Sequence, residues 1–469
     1  MKKCFIYCFL LFTVTLRSQQ IKVSREINVK NDIAYDILPN VDKNTLLYRD
    51  KYDEYFFDVF TNDLDYVRTI QLEFERNKVN IVQLLARDTT AAIVYAYKNE
   101  GTFYIKAKVY DSMANVLDTI NIFETNDDLP PVGLKSTVSE DKSKILLFGR
   151  VKKNFVTYVF DFISNTIIWH SSLELSDLDL SEDFRKILVT NSGKVYILFE
   201  QNNTSYHKED HFFQIFHSQV DGKFLSNIIT SYGLLNSGLA FDYDNKNGDI
   251  LLTGLIGEDE RVSSGYFLYN KLSPSLEEDT ITLMPFDENL SSEIYPNEKD
   301  QNLVDFEVKD IVFREDGGCI VFAELIKSYV RRTSFPSRFD GDQYSTRGFI
   351  DHYNEDIIVF NFNPDRSLSW RQVLHKKQFS QDDDGAFSSY FIFSSPSRLR
   401  VIYNDEIKSS NTVSEYEMDP LGNYERNTVL NTDYQNLKLR FLSAVQTGAN
   451  ELIVPSEKAN KINLVKIYY

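Results

Sequence analysis

One short pattern recurs along the whole chain, and it constrains the fold more than any other feature of the sequence. Its clearest copy is residues 308–324, where two β-patterned runs flank a turn at residues 314–318. The Asp-Gly and Gly-Gly steps of that turn supply the positive φ angles that a tight hairpin needs. Ile320 and Phe322 in the second run are β-branched or aromatic, as is typical of strands. The pattern therefore predicts a strand, a tight turn and a second strand.

The second strand of this pattern occurs eight times along the chain. Its copies begin at Asn44, Ala91, Ser143, Gly193, Gly248, Gly318, Arg398 and Glu451. Most are followed by an aromatic-rich third strand and then by a fourth. Because such a unit cannot bury its own faces, a repeat of roughly fifty residues built from strands alone predicts stacked blades. We predict an all-β fold, a single β-propeller of four-stranded antiparallel blades, with eight blades favoured and seven as the alternative.

The first and last units are incomplete in a complementary way. The eighth hairpin is followed by one more strand, KINLVKIYY, which ends at Tyr469. An additional strand, KVSREINV, begins at Lys22 and precedes the first hairpin. We expect the N-terminal strand to complete the last blade, because this closes the ring and removes the exposed sheet edges that an open array would have.

The first residues have the form of a secretory signal peptide. Lys2 and Lys3 precede an apolar run at residues 5–14, and Ser18 is a small residue before Gln19. The apolar run is too short for a transmembrane helix. We therefore expect a signal peptide at 1–18, a propeller domain at 19–469 and export to the periplasm, the cell surface or the exterior. The segment resembles the short, lysine-led signals of secreted proteins from Bacteroidota.

Charge and cysteine content narrow the possible partners and the chemistry. The formal net charge is −18, which disfavours binding to nucleic acids and to anionic membranes. Cys319 is the single cysteine beyond the expected signal peptide, so no internal disulfide is possible and we expect a small core residue. Trp169 and Trp370 occupy matching fourth strands, which predicts packing between blades. We expect a monomer without a cofactor.

Sequence motifs of common enzyme classes are missing. The chain contains no G-x-S-x-G, no phosphate-binding glycine loop and no C-x-x-C. It also lacks the Ser-x-Asp-x-Gly-x-x-Trp box of sialidase-like propellers and the Trp-Asp pairs of WD40 repeats. The mature chain thus resembles β-propellers in general and no particular family, and this resemblance identifies no functional residue.

Two segments contain metal-binding residue types. The fifth hairpin turn offers the oxygen ligands of a calcium loop, but its glycine is out of register with an EF-hand and Lys246 occupies a ligand position. We prefer a plain hairpin turn over a calcium site formed by Asp242, Asp244, Asn247 and Asp249. His207 and His211, with His217 nearby, lack the HExxH pattern, and we expect a solvated loop there. No metal site is predicted.

Two connections are longer than the others, and both belong to the same face of the ring. They are residues 286–302, before the sixth blade, and residues 327–348, between its second and third strands. The second has five basic residues against two acidic ones and interleaves them with aromatic residues, the composition enriched at binding hot spots. Its Gly and Pro residues also permit hairpin-like folding. The predicted partner-binding residues are Tyr329, Arg331, Arg332, Phe335, Arg338, Phe339, Tyr344 and Arg347.

Two functions of different classes remain open. The favoured one is a non-catalytic binding or scaffold propeller that holds a protein or glycan partner on the long-loop face. The alternative is a propeller-fold polysaccharide hydrolase or lyase with carboxylates at the central mouth. Its candidate carboxylates are Asp127, Asp128, Glu288, Asp382, Asp383 and Asp384. Paired carboxylates with raised pKa values at that mouth would favour the enzyme.

Overall fold

The computed structural model describes most of the chain beyond the expected signal peptide. The described ranges are residues 19–126, 133–175, 178–219, 222–258, 265–273, 282–286, 288–296, 305–334, 346–407, 412–430 and 436–469. For residue 288 and for residues 331–334 and 346–349 the description covers the backbone alone. The expected signal peptide, residues 1–18, lies outside these ranges, so its assignment remains a prediction.

The described strands form eight antiparallel sheets, each built around one of the predicted hairpins. The N-terminal segment contributes β1 (Gln20–Val23) and β2 (Ile27–Asn28). Blade 1 consists of β3 (Ala34–Val41), β4 (Asn44–Asp50), β5 (Tyr55–Phe60) and β6 (Tyr66–Leu72). Blade 2 consists of β7 (Asn80–Ala86), β8 (Ala91–Asn99), β9 (Thr102–Tyr110) and β10 (Val116–Thr125). Blade 3 consists of β11 (Lys135–Val138), β12 (Lys144–Val151), β13 (Asn154–Asp161) and β14 (Thr166–Glu174).

The next three blades follow the same strand order. Blade 4 consists of β15 (Phe184–Val189), β16 (Val195–Gln201), β17 (Phe212–Ser218) and β18 (Phe224–Thr230). Blade 5 consists of β19 (Leu235–Tyr243), β20 (Ile250–Gly257), β21 (Gly265–Leu272) and β22 (Leu283–Pro285), and is followed by helix α1 (Glu288–Ile294). Blade 6 consists of β23 (Phe306–Phe313), β24 (Cys319–Ser334), β25 (Thr346–Phe362) and β26 (Leu368–Leu374), with the additional strand β27 (Gln378–Gln381) paired to β25.

The last two blades complete the ring. Blade 7 consists of β28 (Tyr390–Ser394), β29 (Leu399–Glu406), β30 (Thr412–Met418) and β31 (Tyr424–Thr428). Blade 8 consists of β32 (Val445–Gly448), β33 (Glu451–Lys458), β34 (Lys461–Tyr468) and the N-terminal strands β1 and β2. The predicted eight-bladed, all-β propeller is therefore confirmed.

Closure of the ring by the N-terminal segment is also confirmed. Strand β1 pairs antiparallel with β34 from Gln20↔Tyr468 onward, and β2 continues the pairing with Ile27↔Ile462. Buried Ile27 and Val29 pack in one cluster with apolar residues of β33 and β34. The two ends of the chain thus share one sheet, and no edge of β34 is left open along this stretch.

The strand order gives the ring two different faces. Connections between the first and second strands, and between the third and fourth, lie on one face, which we call the turn face. Connections between the second and third strands, and between successive blades, lie on the opposite face, which we call the arm face. Tight turns on the turn face use left-handed backbone, as at Gly193 with φ 83° and Gly317 with φ 86°.

Aromatic side chains fill the space between neighbouring blades. Between blades 5 and 6, Phe267 stacks on Phe360 with ring centroids 4.3 Å apart, and Tyr269 stacks on Phe362 at 4.0 Å. Cys319 is buried in the same cluster, as predicted for a core residue. The clusters between blades replace the single core of an ordinary sheet sandwich.

Both tryptophans bridge neighbouring blades, as their matching positions predicted. Trp169 of blade 3 donates its indole N–H to the carbonyl of Gly193 in blade 4, at 3.0 Å. Trp370 of blade 6 donates to the carbonyl of Pro420 in blade 7, at 3.1 Å. A glycine with positive φ, Gly422, lies directly against the Trp370 ring. These contacts bind the outer strands of one blade to turns of the next.

The two long connections contain regular structure that the sequence interpretation did not assign. Within residues 286–302 the chain forms helix α1, whose Leu290 and Ile294 pack into the core between blades 5 and 6. Much of residues 327–348 extends β24 and β25 instead of forming a loop. The aromatic or β-branched residues Tyr329, Val330 and Thr333 favour strand, so the ladder of the blade continues outward. No helix in the described part of the chain has the length and apolar character needed to cross a membrane.

Candidate binding site on the sixth blade

The extended hairpin of blade 6 projects beyond its sheet. Strand β24 pairs with β23 as far as Leu325↔Phe306, and beyond that point, among the described residues, it pairs with β25 alone. Nine residue pairs, from Ile326↔Asn354 to Ser334↔Thr346, form this projecting ribbon. We call residues 326–334 and 346–354 the arm. A register shift between Glu324 and Ile326 separates the arm from the blade, and such bulges commonly redirect a strand.

A third strand supports one edge of the arm. Strand β27 pairs with β25 from Asn354↔Gln378 to Asp351↔Gln381. Just beyond it, Asp382 donates its backbone N–H to the Ile350 carbonyl at 3.0 Å, and its carboxylate accepts the Ile350 N–H at 2.9 Å. The arm is therefore a three-stranded sheet at its base and a two-stranded ribbon farther out.

Aromatic side chains cross the three strands of the arm base. Tyr329 on β24 contacts Tyr353 on β25, with ring centroids 5.8 Å apart, and Tyr353 contacts Phe379 on β27 at 5.0 Å. Tyr329 keeps 54% of its surface exposed, and its neighbour Val330 keeps 67%. Cross-strand aromatic pairs stabilise a sheet, so these contacts help to keep the arm base folded when no partner is bound. The arm base therefore presents exposed apolar side chains on a structure that is already ordered.

A buried ion pair lies where the arm joins the ring. Lys376 Nζ lies 2.6 Å from a carboxylate oxygen of Glu324, and neither side chain has solvent-accessible surface. Lys376 also donates to the Asn354 carbonyl and to Gln378 Oε1, at 3.0 and 2.8 Å. Ser389 donates to the second oxygen of Glu324 at 2.7 Å. Burial lowers the pKa of Lys376, while the Glu324 carboxylate opposes that shift.

A cleft of about 400 Å³ opens at the base of the arm between blades 6 and 7. Two pairs of its charged groups contact each other: His375 Nδ1 lies 3.2 Å from Asp356, and Arg426 contacts both oxygens of Asp405 at 2.7 Å. The lining also includes Glu355 and Lys377, together with Lys327 and Lys376, whose ammonium groups pair with Asp305 and Glu324. The arrangement fits binding of polar groups beside the arm.

The predicted partner-binding residues occupy or flank the arm. Tyr329 lies exposed on β24. Arg331 pairs with Phe349, and Arg332 pairs with Gly348, whereas Arg347 lies opposite Thr333. The remaining residues of this prediction lie outside the described ranges: Phe335, Arg338, Phe339 and Tyr344. Their joint role in binding remains a prediction.

The carboxylates suggested for a hydrolase do not form a common site within the described residues. Asp127 and Asp128 lie outside the described ranges, and Glu288 begins helix α1. Asp382 caps the arm, and Asp383 accepts the backbone N–H of Gly385 at 3.1 Å. These two aspartates thus organise a turn of their own chain.

Carboxyl groups with raised pKa values occur elsewhere, at positions that the sequence interpretation missed. Asp36 lies on β3 and Asp310 on β23, both first strands of their blades. First strands of neighbouring blades contact each other on the inner side of the ring, as β3 contacts β7 and β19 contacts β23. Desolvation by the surrounding protein raises the pKa of both carboxyl groups. The available signal was Asp36 as the single charged residue of β3, whereas Asp310 shares β23 with Glu307 and Lys309 and gave no such signal.

The possible calcium segment is organised as a turn. Asp244 accepts the backbone N–H groups of Lys246 and Asn247 at 2.9 and 3.1 Å, and Asp249 pairs with Lys271 at 2.8 Å. Asp242 accepts the neighbouring backbone N–H of Tyr243. Across the described ranges, no group of three or more His, Cys, Asp or Glu is placed to hold a metal ion.

The histidine segment differs from its prediction. The expected solvated loop is wrong for His211, which is 1% exposed. Its Nε2 lies 3.1 Å from Glu200, and its Nδ1 contacts the carbonyl of Leu234. Because both ring nitrogens have partners, burial is tolerated. His211 thereby joins two connections of the arm face.

Comparisons with known proteins identify no specific function. No protein-family model and no curated protein matches the sequence. A protein of unknown function from Bacteroides caccae is 12% identical, with 69% of this chain and 90% of that chain covered and a TM-score of 0.29. An uncharacterized protein from Listeria monocytogenes is 10% identical, with 77% and 85% covered and a TM-score of 0.40. The Dos1 propeller is 8% identical, with 82% and 92% covered and a TM-score of 0.36. The chain is an eight-bladed β-propeller that matches no family model.

Proposed function

We propose that this protein is an exported, non-catalytic binding propeller that holds a protein partner on its arm face. The observation that carries the proposal is the arm of blade 6, a paired ribbon with exposed Tyr329 and Val330. Aromatic and apolar side chains on a paired ribbon lose little conformational entropy when a partner binds, which favours partner recognition.

The anchoring of the arm supports this role. The buried Glu324–Lys376 pair and strand β27 hold its base against the ring. An insertion without function would need no such support, since surface loops tolerate added length at small cost. Function often resides in elements that a rigid scaffold positions, and the ring is such a scaffold.

Other exposed side chains on the same face are consistent with a broad contact surface. Five described tyrosines are exposed, and four of them lie on arm-face connections or on the arm. These four are Tyr52, Tyr206, Tyr232 and Tyr329. Tyrosine is enriched at the energetic centres of protein interfaces because it combines apolar area with a polar hydroxyl.

The proposal is tested by shortening the arm. Residues 329–351 are replaced by an Asn-Gly turn that joins Ser328 to His352, two residues that are already paired. Point variants Tyr329→Ser and Val330→Ser are compared with Leu421→Ser and Ile163→Ser, which alter residues of the turn face that are at least as exposed. Each purified protein, lacking residues 1–18, is used to capture partners from extracts of the native host, and its Tm is recorded.

We expect a protein partner that binds the wild type and both turn-face variants. Its capture should be lost with the shortened arm and reduced with the two arm variants, while the Tm stays close to that of wild type. Undiminished capture by the shortened arm would reject the proposal. Capture of a glycan that is then cleaved would favour the hydrolase instead.

A further inference from the structure

We propose that the free edge of the arm, residues 327–334 of β24, binds an extended acidic segment of the partner by adding it as another β-strand. This inference rests on the proposed function and specifies how the partner is held. Strand addition uses backbone hydrogen bonds for affinity and alternating side-chain contacts for selectivity.

The orientation of the edge follows from one hydrogen bond. Ile326 donates its N–H to the carbonyl of Asp305, at 2.9 Å, on the side of β24 that faces away from β25. Because backbone groups alternate direction along a strand, the N–H and C=O groups of Ser328, Val330 and Arg332 point to that same side. No described residue pairs with this side of β24 beyond Ile326. The edge therefore offers a row of unpaired donors and acceptors.

Charge indicates which kind of strand fits this edge. Arg331 and Arg332 lie along it, while Lys327 at its base is already paired with Asp305 at 3.6 Å, in a protein whose formal net charge is −18. A basic strip on an acidic protein attracts acidic segments locally. Basic residues also discourage edge-to-edge pairing between copies, because antiparallel pairing of two such edges would bring like charges together. The fitting occupant is therefore an acidic strand from another protein and not a second copy of this chain.

Exposed side chains on the edge add contact area to the backbone pairing. Tyr329 and Val330 are adjacent in sequence, so they project to opposite faces of the ribbon. Both are more than half exposed. An added strand would place alternate side chains beside each of them, which gives apolar contact on both faces. A segment in which Thr or Val alternates with acidic residues would fit this edge. Its backbone would pair with the edge, its acidic side chains would face the basic residues, and its Thr or Val side chains would contact the apolar ones.

The inference is tested by removing one outward N–H. Val330→Pro deletes a donor that points away from β25, so the arm ladder should persist, since proline is tolerated where the N–H of an edge strand faces solvent. Val330→Thr is the matched control, because it keeps the N–H and the strand propensity. The probe is a fluorescent peptide of alternating Thr and Glu, compared with its Thr and Lys counterpart. Affinity is measured by anisotropy, and the Tm of each variant is recorded.

We expect the wild type and Val330→Thr to bind the Thr-Glu peptide in preference to the Thr-Lys peptide. Loss of one backbone hydrogen bond should weaken binding by Val330→Pro roughly fivefold or more. Amide hydrogen exchange should slow on peptide binding at Ser328, Val330 and Arg332 of the wild type, because these N–H groups become paired. Amides that already pair with β25, such as that of Tyr329, should change less.

Three results would overturn the inference. They are equal binding by Val330→Pro and wild type, absence of preference for the acidic peptide, and exchange protection that does not alternate along β24. The proposed function can survive this failure. If the shortened arm loses capture of the host partner while Val330→Pro retains it, the arm binds by its side chains and strand addition is wrong.

Discussion

Lys376 and Glu324 form an ion pair of 2.6 Å in a site from which solvent is excluded for both side chains. Asn354 donates to the same carboxylate at 3.1 Å, so a residue of the arm shares the charged centre with the ring. Taking two charges out of water is costly, and only their mutual attraction and added hydrogen bonds compensate. Loss of one partner would leave the other charged and buried.

Substitution of Lys376 tests this coupling. We expect Lys376→Met to lower the free energy of unfolding by about 3–5 kcal/mol, because it strands the Glu324 carboxylate in the interior. The matched control is Lys461→Met, which removes an exposed partner of Glu26 and should cost less than about 1 kcal/mol. Urea unfolding followed by fluorescence measures both variants. A loss for Lys376→Met no larger than that of the control would contradict the expectation.

Glu200 provides a prediction about pH. Burial opposes ionisation of this carboxyl group, but hydrogen bonds from His211 and Arg185 outweigh it, so the pKa lies below its usual value of 4.5. A carboxyl group with a lowered folded-state pKa stabilises the protein above its unfolded pKa, and this contribution is lost as the pH falls through the folded value.

The variant Glu200→Gln isolates that contribution. At neutral pH we expect it to be less stable than wild type by about 2 kcal/mol, because a neutral amide replaces a charged acceptor. The difference should shrink as the pH falls below 4.5, where the carboxylate of the wild type becomes protonated. Urea unfolding at a series of pH values measures it. A difference that stays constant across this range would show that the charge of Glu200 is not the cause.

Local turn chemistry made the ring predictable from the sequence. Steps such as Asp316-Gly317 mark hairpins whose backbone requirements act over a few residues, so their recurrence located every blade. The N-terminal strand could likewise be assigned to the last blade, because a closed ring leaves no open sheet edge. The matching positions of Trp169 and Trp370 sufficed to predict their packing.

Features that depend on distant partners could not be predicted in this way. Glu324 lies on β24 and Lys376 in the connection between β26 and β27, and neither sequence neighbourhood signals a buried charge. His211 lies within a polar segment, HKEDH, and its burial follows from contacts with Glu200 and Leu234. Sequence periodicity reports which face of an element is apolar and gives no information about which polar groups meet across elements.

Metal removal tests the alternative reading of the fifth hairpin turn. Because Asp244 already accepts two backbone N–H groups of its own turn, folding should not require a cation. We expect thermal unfolding in the presence of EDTA to give the same Tm as in its absence. A clear fall in Tm that added calcium reverses would identify Asp242, Asp244, Asn247 and Asp249 as ligands.

Ring closure predicts a specific failure when the N-terminal strands are removed. Deleting residues 21–29 removes β2 and most of β1. The outer edge of β34 then has no paired strand, and the apolar surface that Ile27 covers becomes exposed. Open strand edges promote association between chains. We expect aggregates by size-exclusion chromatography and a lower Tm. A control substitution, Lys30→Ala, changes an exposed residue next to this strand and should leave both measurements unaltered.

Gly422 offers a test of how tightly neighbouring blades are packed. It has a φ of 85°, and a Cβ built on it would lie 2.6 Å from the Trp370 ring. Gly101 has a similar φ of 93° but no atom within 4 Å of the same position. Alanine at either site bears the strain of a left-handed backbone, about 1 kcal/mol.

At Gly422 the overlap with the indole should add about 1–3 kcal/mol. We therefore expect Gly422→Ala to lower the free energy of urea unfolding more than Gly101→Ala does. If both variants lose the same free energy of unfolding, the Trp370 ring moves aside at no energetic cost, and it does not hold blades 6 and 7 together.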